Sequence, residues 1–195
     1  MDDDRRPTVV IAEDEAIIRL DLKEMLEEEG YAVIAETGRG DEAVTLVQEL
    51  RPDLVILDVM MPGLDGLTAA RQIAAERLSG VLVLTAFSQR DLVEQARDAG
   101  ALAYLVKPIQ KSDLTPAIEV ALARHAELTA LEQSVQDLEE RLETRKVIDR
   151  AKGRLMDHHG LDEQGAWRFI QTEAMNRRVK VGDIARRVIE GELEP

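Results

Sequence analysis

Along residues 8–125 the chain alternates short β-branched and aliphatic runs with stretches whose apolar positions recur at helical spacing. The runs are Val9-Val10-Ile11, Ala32-Val33-Ile34, Leu54-Val55-Ile56-Leu57, Val81-Leu82-Val83-Leu84 and Ala103-Tyr104-Leu105-Val106. They are almost continuously apolar rather than alternating, which predicts strands buried on both faces. Helical spacing covers residues 17–29, 41–50, 68–76 and 91–99, with Gly30 and Gly100 placed where a helix C-terminus favours a left-handed residue. Five strands alternating with these four helices and a fifth beginning near Leu114 predict an α/β domain built on a doubly wound, five-stranded parallel sheet of the flavodoxin-like kind.

From Leu114 the pattern turns wholly helical. Leu128, Leu131, Val135, Leu138 and Leu142 repeat at spacings of three and four, the mark of a coiled-coil seam, though for barely two heptads. Three helical segments are expected next, at residues 145–158, 162–177 and 181–190, interrupted at His159-Gly160 and around residues 178–180. Each is too short to stand alone, so they should pack as a small all-α three-helix bundle. The organisation expected is a first domain over 1–124, a helical linker over 125–144 and a second domain over 145–195.

Length fits this plan: 195 residues make one domain with an appendage, not a large multidomain enzyme. Aromatics are only 3%, so the core must be aliphatic, and any stacking site has few candidates among Tyr31, Phe87, Tyr104, Trp167 and Phe169. With no cysteine, disulfides, thiolate metal sites and cysteine nucleophiles drop out, which suits a reducing cytoplasm. No apolar run reaches the roughly 18 residues of a membrane span, so a cytosolic protein without membrane partners is expected. The net charge of -14 is unevenly spread. Residues 145–187 hold eleven Lys and Arg against six Asp and Glu, a net of +5, leaving 14 basic and 33 acidic residues, or -19, for the remainder. An acidic module joined to one that meets a polyanion has this asymmetry.

In an open parallel sheet, ligands gather at the carboxyl ends of the strands. Those ends carry Glu13, Asp14 and Glu15 after the first strand, Asp58 after the third, Thr85 after the fourth and Lys107 after the fifth. Glu13, Asp14 and Asp58 suit a hard divalent cation, Mg²⁺ above all, which accepts carboxylates, a carbonyl and several waters. With the charge so neutralised, Asp58 could attack an electrophilic phosphorus while Lys107 and Thr85 held phosphoryl oxygens. A lone carboxylate at a strand end is more often a cap or solvated loop residue; agreement among four strand ends argues for a site.

These residues resemble the receiver domains of two-component response regulators over about the first 120 positions. The likeness rests on Glu13-Asp14, on Leu57-Asp58-Val59-Met60-Met61-Pro62-Gly63 with Asp65-Gly66, on Thr85-Ala86, and on Lys107-Pro108 with Tyr104 three residues before the lysine. It implies that Asp58 takes a phosphoryl group from a sensor histidine kinase, that Met60 lends a backbone carbonyl to Mg²⁺, and that Lys107-Pro108 is a cis peptide. Thr85 and Tyr104 would be the switch pair. Catalysis would go no further than the protein's own phosphorylation and dephosphorylation. Glu at position 13, where Asp is also common, should alter metal reach slightly.

Two enzyme alternatives fare worse. Gly38-Arg39-Gly40-Asp41-Glu42-Ala43 reads as a dinucleotide fingerprint, yet it follows the second strand rather than the first. An aspartyl-phosphate hydrolase needs an acid two residues beyond its nucleophile, and position 60 is methionine.

Output should lie in the basic C-terminal segment. Ile148, Ala151, Leu155 and Met156 make an apolar face that is expected to leave Lys152 and Arg154 outward. Ile148-x-x-Ala151-Lys152-Gly153-x-Leu155-Met156, Gly160, Ala166-Trp167, Ile170, Ala174-Met175-Asn176 and Ile184-Ala185 resemble the ANTAR family of RNA-binding antitermination domains. Trp167 is expected in the core, and His158 with His159 point apart, against a metal site. A receiver followed by ANTAR resembles the phosphorylation-dependent antitermination regulators, which implies RNA hairpins and the RNA polymerase elongation complex as partners. Lys152, Arg154, Arg177, Arg178 and Lys180 are the expected RNA contacts, and the leucine seam suggests a homodimer strengthened by phosphorylation. The alternative is a DNA-binding regulator with a helix-turn-helix-like output.

Overall fold

The computed structural model describes residues 5–86 and 90–195, so Phe87 lies outside it. The chain divides into two compact units, one ending at Ala130 and the other covering Leu131–Pro195. Strands β1 (Thr8–Ala12), β2 (Ala32–Thr37), β3 (Leu54–Asp58), β4 (Gly80–Thr85) and β5 (Ala103–Val106) form one parallel sheet in the order β2-β1-β3-β4-β5. Helices α1 (Ala16–Glu28), α2 (Gly40–Leu50), α3 (Gly66–Ala75) and α4 (Arg90–Asp98) connect them, and α5 (Lys111–His159) follows β5. The expected fold class is the one observed.

Because successive strand residues point to opposite faces, an uninterrupted apolar run feeds two cores at once. Val10, Val55, Leu57, Val81 and Val83 pack with Val47 of α2 and Ile73 of α3. Val9, Ile11, Leu54, Ile56, Leu82 and Leu84 pack on the other face with Leu22 and Leu26 of α1 and Leu114 and Ile118 of α5. Each such side chain contributes about 1.5–3 kcal/mol by leaving water. Full burial holds only for the central strands: β2 and β5 are edge strands with partly exposed residues, so their sequences overstate their burial.

Helix α5 differs from the sequence expectation: it runs for 49 residues without interruption. Residues 117–152 contain neither Gly nor Pro, the two residues that end helices most effectively, so the expected linker is helical throughout. In the second unit the end of α5 packs with α6 (Glu163–Arg177) and α7 (Val181–Glu190). The Asp162 carboxylate caps α6 by accepting from the Gly165 N–H at 2.7 Å, and Arg178 closes it in a left-handed conformation. Small residues let these helices approach closely: the core is Ala151, Leu155, Ala166, Ile170, Ala174, Ile184, Ala185 and Val188.

Three local expectations change. Met156 is exposed rather than core; Lys152 is largely buried rather than outward; and Trp167 stands 36% exposed. The seam residues Leu131, Val135, Leu138 and Leu142 are all exposed. Among the described residues, no helix is long and apolar enough to cross a membrane.

Candidate functional site

The sheet order reverses direction between β1 and β3, and the crevice outside their carboxyl ends is where such folds bind ligands. Glu13 follows β1 directly and is anchored by its own N–H to the Thr37 carbonyl at 3.0 Å. Arg19 of α1 donates to the Glu13 carbonyl, and Glu13 Oε1 accepts from the Glu15 N–H at 3.2 Å. Asp58 ends β3, paired with Leu84 of β4. Lys107 follows β5, its N–H donating to the Thr85 carbonyl at 2.8 Å, and its bond to Pro108 is cis.

These anchors converge three carboxylates and one ammonium. Lys107 Nζ lies 2.7 Å from Glu13 Oε2 and 3.1 Å from Asp58 Oδ2. Glu13, Asp14 and Asp58 each offer a carboxylate oxygen within 4.8 Å of the others. Glu13 and Asp58 are buried and Asp14 is exposed, which leaves one side of the cluster open to water. This is the one such grouping of metal-ligating side chains among the described residues, and His158 and His159 take no part in it. An all-oxygen set with one open side suits a hard divalent cation.

Electrostatics follow from burial. Desolvation pushes the Asp58 carboxyl above its ordinary value; Lys107 pulls it back, Asp14 adds to the rise, and the Met60 N–H lowers it. Burial likewise raises Glu13, against the hydrogen bond from Lys107. For Lys107, burial opposes the charged form, but Glu13 and Asp58 together outweigh it and hold the ammonium above its ordinary value. One cation therefore serves two desolvated carboxylates, and a second cation has charge left to neutralise.

Thr85 is buried, whereas Tyr104, in register with Val83 on β5, is 46% exposed, so the expected switch pair has one member inside and one outside. The Met60 side chain is exposed. Two glycines have a positional role that the sequence alone does not show. Gly66 opens α3 so closely under the end of β3 that a Cβ would stand 1.8 Å from the Asp58 carbonyl oxygen. Gly40 meets the Leu64 carbonyl oxygen at 1.9 Å in the same sense, so the apparent dinucleotide fingerprint is a packing seat for the loop after Asp58. Asp65-Gly66 is a cap-and-helix-start signal whose close approach is visible only in three dimensions; Asp65 does cap α3, accepting from Thr68 N–H at 2.9 Å.

The C-terminal candidates divide by what they touch. Lys152 is held by Asp149 and Glu163, both at 2.9 Å. Arg154 donates to the Ile189 carbonyl at 3.0 Å and so closes the end of α7. Arg177 pairs with Glu173 at 2.8 Å. The Arg178 side chain has no hydrogen-bond or ion-pair partner among the described residues, and Lys180 is 85% exposed, 3.9 Å from Glu140. Lys152 alone of the five lines a groove of about 760 Å³ between α5 and α6, together with Arg141, Arg145 and Trp167.

Comparison with known proteins agrees with both halves. Residues 9–119 match the response regulator receiver domain and residues 136–189 match the ANTAR domain. The transcriptional regulatory protein PdtaR of Mycobacterium tuberculosis is 58% identical over 182 residues, covering 93% of this chain and 89% of the relative. The chemotaxis protein CheY of Bacillus subtilis is 35% identical over 115 residues, covering 58% of this chain and 96% of CheY. Among solved structures, the receiver domain of a modulated diguanylate cyclase from Desulfovibrio desulfuricans superposes with a TM-score of 0.58 at 31% identity, over 63% of this chain and 98% of that one.

Proposed function

The chain belongs to the response regulators that join a receiver domain to an ANTAR domain, and on that premise we propose that Asp58 is phosphorylated by a sensor histidine kinase and thereby controls RNA-hairpin binding and transcription antitermination. The observation that carries this reading is the buried Asp58 carboxylate, set at a strand end with Lys107 Nζ at 3.1 Å and Glu13 and Asp14 beside it. The ANTAR match over residues 136–189 sets aside the helix-turn-helix alternative.

In the transfer, an Asp58 oxygen attacks the phosphorus of a phosphohistidine; an O–P bond forms as the P–N bond breaks, and the electron pair leaves with the imidazole. Lys107 is placed to follow the charge, exchanging its contact with Asp58 for one with a phosphoryl oxygen. Thr85, buried at the end of β4, offers a hydroxyl to another, and Tyr104 turns inward into the space so released. Glu13, Asp14 and Asp58, with the Met60 carbonyl, would hold Mg²⁺, which when bound neutralises the charge that gathers on the phosphoryl oxygens. Catalysis is confined to the protein's own phosphorylation and dephosphorylation.

The basic second unit supplies the RNA contacts, with Arg177, Arg178 and Lys180 outward and Lys152 and Arg154 drawn from their present partners. The exposed Leu131 to Leu142 stripe pairs two copies, more strongly once phosphorylated. The working site is the cytoplasm, alongside the RNA polymerase elongation complex. Incubation with acetyl phosphate and Mg²⁺ should add one phosphoryl group. Equal labelling of Asp58→Asn would refute the assignment.

A further inference from the structure

Helix α6 buries Ala166, Ile170 and Ala174 completely or nearly so, and puts its largest side chain elsewhere. Trp167 is 36% exposed and forms part of an open groove of about 760 Å³ between the start of α6 and the 137–152 stretch of α5. Ile148 and Thr144 line the groove beside it, Gln164 and Glu163 add hydrogen-bonding groups, and the α5 side carries Arg141, Arg145 and Lys152 together with Asp137 and Glu140. Arg141 has no hydrogen-bond or ion-pair partner among the described residues, and Arg145 reaches only Asp149, at 4.0 Å.

This lining is specific about its occupant. A helical peptide would need a long apolar strip, and the groove offers one indole and one isoleucine. A second copy docking through the leucine stripe would bind elsewhere. Asp137 and Arg141 precede Leu138 and Leu142 by one residue, and consecutive helix residues are about 100° apart, so the stripe and the groove lie on different faces of α5. What fits is a flat ring for the indole, polar ring edges for Gln164 and Glu163, and a phosphate for the unpaired guanidinium. An unpaired nucleotide has all three.

We infer that the Trp167 groove takes an unpaired base of the bound RNA, stacked on the indole, with its phosphate against Arg141. The inference rests on the RNA-binding reading of the second unit and names the contact within it. It also gives the RNA a reason to be a hairpin with a loop, since bases within a paired stem have no free face to stack.

Trp167 is the only tryptophan, so its emission reports this groove alone. Full-length protein, phosphorylated with acetyl phosphate and Mg²⁺, is titrated with a dye-labelled hairpin pool carrying a randomised loop, and with the paired stem closed by no loop. Indole emission should be quenched in step with the rise in dye anisotropy for the hairpins and remain unchanged with the stem. Stacking is lost in Trp167→Ala, which should bind roughly tenfold more weakly, while Trp167→Phe keeps most of the affinity. Arg141→Glu, which leaves the indole in place, should weaken binding several-fold. Hairpin binding with unchanged indole emission and wild-type affinity in Trp167→Ala and Arg141→Glu would overturn the groove and leave the RNA reading standing. Absence of any hairpin binding by the phosphorylated wild type would overturn both. An indole emission maximum that shifts with protein concentration in the absence of RNA would give the groove to a second copy instead.

Discussion

Replacing Gly66 with alanine puts a methyl group where the Asp58 backbone already is. The Cβ would lie 1.8 Å from the Asp58 carbonyl oxygen and 2.7 Å from its carbon, while real Cβ contacts essentially never fall below 3.0 Å. Start of α3 and end of β3 must therefore separate by at least about 1.2 Å, and the yielding atoms are backbone rather than a flexible side chain. Overpacking of this kind costs about 1–3 kcal/mol. The helix-forming advantage of alanine, up to about 1 kcal/mol in a helix interior, offsets little at a first turn. A net loss of about 2 kcal/mol, at a urea slope of about 2 kcal/mol per molar, lowers the midpoint by about 1 M. If Asp58 is the acceptor as proposed, displacing its carboxylate by about 1 Å should also slow labelling by acetyl phosphate, by tenfold or more. Tyr31 and Tyr104 lie in the first unit and the single Trp167 in the second, so the two units report separately. The tyrosine transition should move and the tryptophan transition should not. Gly153→Ala is the control: nothing lies within 4 Å of its Cβ position, and the substitution should stabilise its helix by about 0.5–1 kcal/mol. An unchanged tyrosine midpoint together with wild-type labelling in Gly66→Ala would show that the close approach places no demand on Asp58.

Two further predictions concern pH. Burial disfavours the His125 imidazolium, Asp53 draws it partly back and Arg77 repels it, leaving its pKa below the ordinary 6.5. The unfolded chain thus takes up this proton first, so stability present above pH 6.5 is lost as pH falls through the folded value. The tyrosine midpoint of the wild type should drop over that interval relative to His125→Asn, and parallel curves would refute it. Asp58 and Glu13 have raised values, so the folded form binds their protons more tightly and they favour folding at low pH, with that contribution lost as pH rises through the folded values. Asp58→Asn, which leaves Lys107 with Glu13 as a single pair, should accordingly raise the tyrosine midpoint at pH 7 in metal-free buffer; a lowered midpoint would mean that the second carboxylate stabilises the resting site.

The sheet and its site were legible because both depend on residues at fixed places in a repeating pattern. Continuous apolar runs mark central strands, and the polar residue ending each run falls at the carboxyl edge, so the pattern alone puts Glu13, Asp58, Thr85 and Lys107 at one edge of the sheet. The continuity of α5 was less visible, because charge and composition change along residues 111–159 while nothing breaks the helix. The roles of Lys152 and Arg154 were hidden for another reason: Glu163 and Ile189 are their partners across the bundle, and no local pattern reveals a tertiary ion pair. Trp167 stands at an aromatic position of the ANTAR pattern, which pointed to the core, yet close helix packing fills that core with alanines and leaves the indole partly outside.

The seat that Gly40 makes for Leu64 ties two stretches of sequence to a common history. A lineage that acquired a side chain at position 40 would drive it into the carbonyl at position 64, and could persist only if the loop following Asp58 changed its path at the same time. The two loops should therefore drift together among descendants, with bulk gained in one answered by a rearranged or shortened turn in the other. The glycine pattern that imitates a nucleotide fingerprint would on this account be inherited as half of a fitted pair, and its other half lies more than twenty positions downstream.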